Sequence, residues 1–334
     1  MNLFLVTSPF QYICANEARI EYNVKDAVLV LVEQSRETGK IQMAKILKED
    51  DWSEVIIIPR TARTKNIPAV IKHIKSKYSQ FNTYFYSEYD SWRTQLIAKN
   101  IPFEKHVYFD DGTMTIIEYE DLFKTKTPYK RKRLLQDIQL RLRGVIPTGV
   151  MPFPSNFELF SIFDFKDVDF TYEVNSLSNI RSFFSNYSPF MDIAPAGFIG
   201  HAMISERGGM TLNSYLEIIQ RYITITGCSQ LLYFPHRSES VNQHVVQEIK
   251  KIKGLVYHTS EFPLEIEFPD KKVQLSSLGG LTSTALYTLS LMYPDLPIYN
   301  ALQKKNDYEI GQDKLYYSAQ RLNAYYRDTG FIVF

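Results

Sequence analysis

The sequence predicts an α/β protein made of two Rossmann-like domains, each built on a parallel sheet. Three observations lead there. The chain has 334 residues, more than one core ordinarily serves. Its apolar stretches are short, continuous runs such as Ala27–Glu33 (AVLVLVE), the pattern of strands buried on both faces. Those runs alternate with amphipathic stretches of helix length, as βαβ units require.

In the first half, Leu3–Thr7 reads as a strand opening on SPFQ, with a helix from Phe10 to about Glu21. Ala27–Glu33 is the next strand, Glu37–Leu47 a helix and Val55–Pro59 (VIIIP) another buried strand. Ile67, Val70, Ile71 and Ile74 define one side of a helix over 65–78, and Thr83–Ser87 and His106–Phe109 continue the strand series. The segment 124–143 breaks this rhythm. It carries Lys124, Lys126, Lys130, Arg131, Lys132, Arg133, Arg141 and Arg143 against the single acid Asp137, with Leu134, Leu135, Ile138 and Leu142 at helical spacing. That pattern is a basic amphipathic helix, followed by a proline-rich loop, PTGVMPFPSN.

A second α/β series begins near residue 196. ERGGMTLNSYLEIIQRYI gives a glycine turn and a helix to about Ile225, Gln230–Phe234 a strand, 240–252 a helix and Leu255–His258 a short strand. TSTALYTLSLM reads as a helix, LPIYNAL as a strand, and a Tyr-rich helix near 314–326 closes the chain. The expected domains are 1–175, 190–315 and a terminal helix and tail over 316–334 that could pack back on the first domain.

Composition narrows the function classes. A net charge of +1 provides no global attraction to nucleic acid. Two distant cysteines, Cys14 and Cys228, make neither a disulfide framework nor a structural zinc site and fit a reducing compartment. The first residues lack the charged start and small-residue cleavage site of a secretory signal, and no apolar run reaches the ~20 residues of a membrane span. A cytoplasmic location is expected. Aromatics make up 14%, a surplus that suits stacking on sugars or bases but more often fills cores.

Three constellations carry chemistry. In HVYFDDGT a strand runs into Asp110 and Asp111 and then a glycine turn at Gly112. Adjacent strand residues face opposite ways, so one carboxylate can enter a cleft as a general base while the other holds the turn. In LLYFPHRSES a strand stops at His236 and Arg237, which could together neutralise a leaving phosphate, with Glu239 orienting Arg237 or capping the next helix through Ser238 or Ser240. In SSLGGLTSTALYTLS, Gly280 and the hydroxyls of Thr282, Ser283 and Thr284 precede a helix, offering either a phosphate cradle or an ordinary N-cap. No P-loop lysine is present. Asp167-Val168-Asp169 matches the Asp-x-Asp of metal-dependent sugar transferases, but so short a pattern arises by chance, and the remaining histidines show no metal-ligand spacing.

Together these stretches resemble the bacterial sialyltransferases of two-Rossmann, GT-B architecture. Asp110-Asp111-Gly112 matches the family's acidic motif, His236 its His-Pro motif, and Ser283-Thr284 its Ser/Thr pair at a helix start. SEFPLEIEF, with Glu261, Pro263 and Glu265, looks like the loop that holds the nucleotide's ribose or base. TSPFQ looks like the motif after the first strand, placing Ser8, Pro9 and Gln11, with Gly112 and Thr113, on the acceptor or donor-sugar side. One departure is plain: Arg237 stands where the family has proline, and Pro235 precedes the histidine.

The resemblance implies an inverting, metal-independent transfer of sialic acid from CMP-sialic acid to a hydroxyl of a lipid-linked lipooligosaccharide or capsule glycan. Asp110 is the first choice for base and Asp111 the alternative. His236 would assist the departing CMP, with Ser283 and Thr284, and no cofactor is needed. The basic helix over 124–143 would touch the inner-membrane surface. CMP-Kdo or another nucleotide sugar is the alternative donor, and a non-catalytic nucleotide-binding protein of glycan assembly the alternative class.

Overall fold

A computed structural model of the chain describes residues 1–204, 209–239 and 242–334. Glu206–Gly208 of the expected glycine turn and the expected cap Ser240 lie outside the described residues. The chain divides into two units, Met1–Ile180 and Arg181–Phe334.

The first unit runs β1 (Asn2–Val6), α1 (Pro9–Glu21), β2 (Ala27–Val32), α2 (Glu37–Ile46), β3 (Glu54–Ile58), α3 (Arg63–Lys77), β4 (Phe81–Tyr86), α4 (Trp92–Asn100) and β5 (Phe103–Phe109). It continues through α5 (Met114–Glu118), β6 (Tyr129–Arg131), α6 (Leu134–Leu142), β7 (Gly149–Met151), β8 (Phe157–Ser161), β9 (Thr171–Val174) and into α7 (Ser178–Phe183). Seven strands make one sheet in the order β3-β2-β1-β4-β5-β8-β9, every pairing parallel. The direction of winding reverses between β1 and β4. At such a switch point the loops after the strands splay apart and leave a crevice.

All six residues of β2 are buried, as its unbroken apolar run requires. VIIIP differs: β3 is the sheet edge and Ile57 is half exposed, because an apolar run does not reveal how many neighbours a strand has. Four strands of this unit, β6, β7, β8 and β9, were missed. PTGVMPFPSN contains β7, which pairs antiparallel with β6, and FELFS forms the fully buried β8 beside β5. Asp169 of the Asp-x-Asp stretch is paired with Lys126 at the surface.

The second unit contains β10 (Ala196–Ile199), α8 (Leu212–Thr226), β11 (Leu231–Phe234), α9 (Gln243–Lys250), β12 (Leu255–Tyr257), α10 (Leu264–Asp270) and β13 (Ser277–Leu281). It ends with α11 (Thr284–Met292), β14 (Ile298–Ala301), α12 (Asp313–Tyr326) and β15 (Ile332–Val333). Its sheet is parallel in the order β12-β11-β10-β13-β14-β15, with the switch between β10 and β13. Gly279 lets α8 pack closely, since a Cβ there would lie 2.5 Å from the Tyr222 ring. The terminal segment belongs to the second unit. There β15 extends its sheet and Asn323 and Tyr326 of α12 bond to Thr282 and Ser283.

The aromatic surplus goes largely into the cores. Tyr84, Tyr86, Tyr89, Tyr108, Tyr215, Tyr222, Tyr233 and Tyr326 are among the largest fully buried side chains. A buried phenol usually finds a partner for its hydroxyl, and the Tyr215 and Tyr233 hydroxyls, 2.8 Å apart, begin a chain that ends at the second unit's candidate site.

Candidate functional site

In the first unit the polar groups collect past the carboxyl ends of β1, β2, β4, β5 and β8. The two aspartates after β5 divide as their opposite facing requires. Asp110 is fully buried, and both its oxygens accept: Oδ1 from the Ser161 hydroxyl at 2.6 Å, Oδ2 from the Ile162 amide at 2.7 Å. It ties β5 to the loop after β8. Asp111 is half-buried, and its Oδ1 accepts from Gln11 Nε2 at 2.6 Å. The chain then turns at Gly112, whose φ of +69° is left-handed backbone, and Thr115 secures the turn by accepting from the Asp111 amide. Asp110 is thus occupied in holding the sheet together, and Asp111 is the less buried of the two.

Gln11 is aimed rather than loose. Its Oε1 accepts from the Thr7 amide at 2.7 Å, which leaves the Nε2 end for Asp111. Ser8 and Pro9 do something else: the Ser8 hydroxyl caps α1 by accepting from the Gln11 amide, and Pro9 occupies the first helical position. Both are buried, so they build the helix that carries Gln11. Thr113 is half-buried and precedes α5.

Four further residues were not anticipated. Gln34 and Arg60 both donate to the Thr7 carbonyl, at 2.7 and 3.0 Å. Glu88 accepts from the Thr7 hydroxyl at 2.7 Å and pairs with Arg93 at 3.0 Å. Gln34, Arg60 and Glu88 follow β2, β3 and β4 by only two residues, and that shared position was the only signal in the sequence.

In the second unit the chemistry again follows the strands. Past β11, His236 Nδ1 accepts from the Ser238 amide at 3.2 Å and lies 2.7 Å from the Ser238 hydroxyl. An Nδ1 that accepts from an amide carries no proton, so the neutral ring bears its hydrogen on Nε2. Beneath it Glu239 is fully buried, accepting from Tyr233 Oη at 2.7 Å, Tyr257 Oη at 3.2 Å and the His236 amide at 3.3 Å. Glu239 thus anchors the loop that presents His236 instead of orienting Arg237, which is exposed. Gly200, after β10, makes room for this: a Cβ there would stand 2.5 Å from Glu239 Oε2 and 2.7 Å from the His236 amide nitrogen.

The residues around β13 sort by depth. Gly280 lies within the strand, and Thr282 is buried with its hydroxyl among Asn300 and Asn323, so both belong to the scaffold. Ser283 caps α11 by accepting from the Leu286 amide at 3.4 Å. Thr284 is half-buried on the first turn, where the amide dipoles favour an anion.

SEFPLEIEF is half loop, half helix. Pro263 caps α10, and Glu265 is buried with its Oε1 accepting from Thr288 at 2.6 Å, a bond between α10 and α11. Glu267, not singled out in advance, shapes the loop: Oε2 accepts from the Glu261 and Phe262 amides at 3.0 and 2.9 Å, and Oε1 meets His258 Nε2 at 2.7 Å. The Glu261 side chain points outward and pairs with Lys271. Among the described residues no group of three or more His, Cys, Asp or Glu is placed to hold a metal ion.

Burial pushes the carboxyls of Asp110 and Glu239 up to about 7. Both are therefore more readily protonated folded than unfolded. The stability they contribute is complete below about pH 4 and is lost as pH rises through about 7. Calorimetry should show Tm falling by several degrees between about pH 5 and pH 8, at about 2–4 °C per kcal/mol for units of this size. Glu239→Gln should flatten that fall; a Tm that rises across the window would contradict the assignment.

No family model and no curated protein matches the chain. Solved structures do. The α/β-galactoside α-2,3-sialyltransferase of Photobacterium phosphoreum aligns over 99% of this chain and 97% of its own, at 13% identity and a TM-score of 0.51. The UDP-GlcNAc 2-epimerase of Methanocaldococcus jannaschii, in complex with UDP-GlcNAc and UDP, aligns over 96% and 92%, at 12% identity and 0.52. At these identities the likeness is one of fold: the chain has the two-unit, parallel-sheet architecture of the GT-B type.

Proposed function

We propose that the protein is an inverting, metal-independent sialyltransferase that moves sialic acid from CMP-sialic acid to a sugar hydroxyl of a bacterial surface glycan. One observation carries this reading. TSPFQ and the Asp-Asp-Gly turn, a hundred residues apart in the chain, are joined by the Gln11–Asp111 hydrogen bond at the mouth of a switch point. Two stretches that resemble the family's motifs independently thus converge on one oriented carboxylate. The sialyltransferase among the fold's solved relatives supports the same choice.

In this reading Asp111 takes the proton of the acceptor hydroxyl. The freed oxygen attacks the anomeric carbon of sialic acid while the bond from that carbon to the CMP phosphate oxygen breaks on the opposite face. The electron pair leaves with CMP as its phosphate dianion, and the His236 Nε2–H donates a hydrogen bond to that phosphate. The first turn of α11, at Thr284, holds the remaining phosphate charge. A single phosphate needs less countercharge than a diphosphate, which suits a site with one imidazole and a helix start.

The test is product formation by the purified protein from CMP-sialic acid and a galactoside, with and without EDTA. A sialylated product in EDTA is expected. CMP release from CMP-Kdo but not from CMP-sialic acid would replace the donor, and failure to bind CMP at all in calorimetry would end the proposal.

A further inference from the structure

Helix α6 is turned inside out relative to an ordinary surface helix. Its nine residues bury only Leu140. Leu134, Leu135, Ile138 and Leu142, which share one arc of the helix, are 78%, 79%, 56% and 82% exposed. Ile146 and Val150 just beyond it are also more than half exposed. Leucines at this exposure lose the benefit of burial, and several together exceed the scatter of single apolar residues on a normal surface.

The surroundings say what covers them. Lys130, Arg131, Lys132, Arg133, Arg141 and Arg143 flank the stripe, Asp137 is the one acid between them, and Lys72 of α3 lies beside Gly144. Among the described residues none of the six makes an ion pair. We propose that α6 and the paired strands β6 and β7 that flank it form a surface that inserts into an anionic phospholipid bilayer, leucines in the acyl boundary and arginines and lysines at the headgroups. Interfacial helices work this way, joining apolar area to attraction for anionic lipid. A nucleic acid has no use for an aliphatic stripe without aromatic rings. A second copy of the patch would bring like charges together across a two-fold axis. Among the described residues no helix is long and apolar enough to cross a membrane, so the contact is peripheral.

Vesicle flotation of the full chain tests this with phosphatidylglycerol/phosphatidylcholine and pure phosphatidylcholine vesicles. Binding is expected on the anionic vesicles alone, weakening with salt. Leu134→Ser with Leu135→Ser should lower partitioning by at least about tenfold, since each leucine entering hydrocarbon is worth roughly that factor. Arg133→Glu with Arg141→Glu should abolish binding at every salt concentration. All four residues are exposed, so circular dichroism and melting should be unchanged, and transfer to a soluble acceptor should persist. Three results would overturn the proposal: equal flotation of the leucine variant, no flotation of the parent protein, or a dimer in sedimentation velocity that the leucine variant converts to monomer.

Discussion

Replacing Asp111 by Asn should cut transfer by about 10²–10⁴-fold and leave CMP binding intact, the range expected for loss of a positioned general base. Asparagine keeps an oxygen for the Gln11 Nε2 hydrogen bond and a similar volume, but it cannot take a proton from the acceptor. The Asp110 anchor to Ser161 and Ile162 is untouched, so the fold should melt where the parent does. Asp110→Asn should behave differently. Its amide nitrogen would face a donor where a carboxylate oxygen now accepts, so stability falls, whatever happens to activity. Titration calorimetry with CMP, single-turnover product formation and melting curves separate the two. An Asp111→Asn protein that keeps more than about a tenth of the parent rate would remove Asp111 as the base.

The second large effect is expected at His236. His236→Ala removes the Nε2 hydrogen offered to the departing phosphate, and kcat/KM for the donor should fall by about 10²–10⁴-fold. Gly200→Ala examines the same group from beneath. Its Cβ would meet Glu239 Oε2 at 2.5 Å and the His236 amide at 2.7 Å, so the loop must shift while every polar side chain remains. Its expected signature is a partial loss concentrated in kcat, because the phosphate still finds α11. A His236→Ala protein that folds normally and turns over within about threefold of the parent would exclude the imidazole from the reaction.

How much of this could be read without coordinates depended on distance along the chain. The alternation of buried runs and amphipathic stretches was legible because each strand declares itself over five or six residues. Each of the stretches carrying His236, Asp111 and Thr284 was legible as a change of character, an apolar run ending abruptly in polar groups. The helix over 134–142 was legible too, but its orientation was not. Periodicity reports that four apolar residues share a side, and only packing reports that this side faces away from the body.

The choice between neighbours was out of reach. Nothing local distinguishes Asp110 from Asp111; their partners, Ser161 and Gln11, lie fifty and a hundred residues away. Thr282 and Ser283 look interchangeable as caps until Asn300 and Asn323 claim the first and Leu286 the second. Glu265, expected in a loop that holds the ribose or base, is buried and bonded to Thr288, while Glu267, two residues on, shapes the loop.

Sequence alone determined that this is a two-unit parallel α/β protein, and at which strand ends apolar runs give way to polar groups. Burial patterns and turn residues act over a few positions, so the chain states them directly. Tertiary structure alone decided which polar groups are buried anchors and which lie nearer the surface. A buried carboxylate or hydroxyl must be satisfied wherever the fold supplies a partner, and that partner is set by strand order, not by spacing.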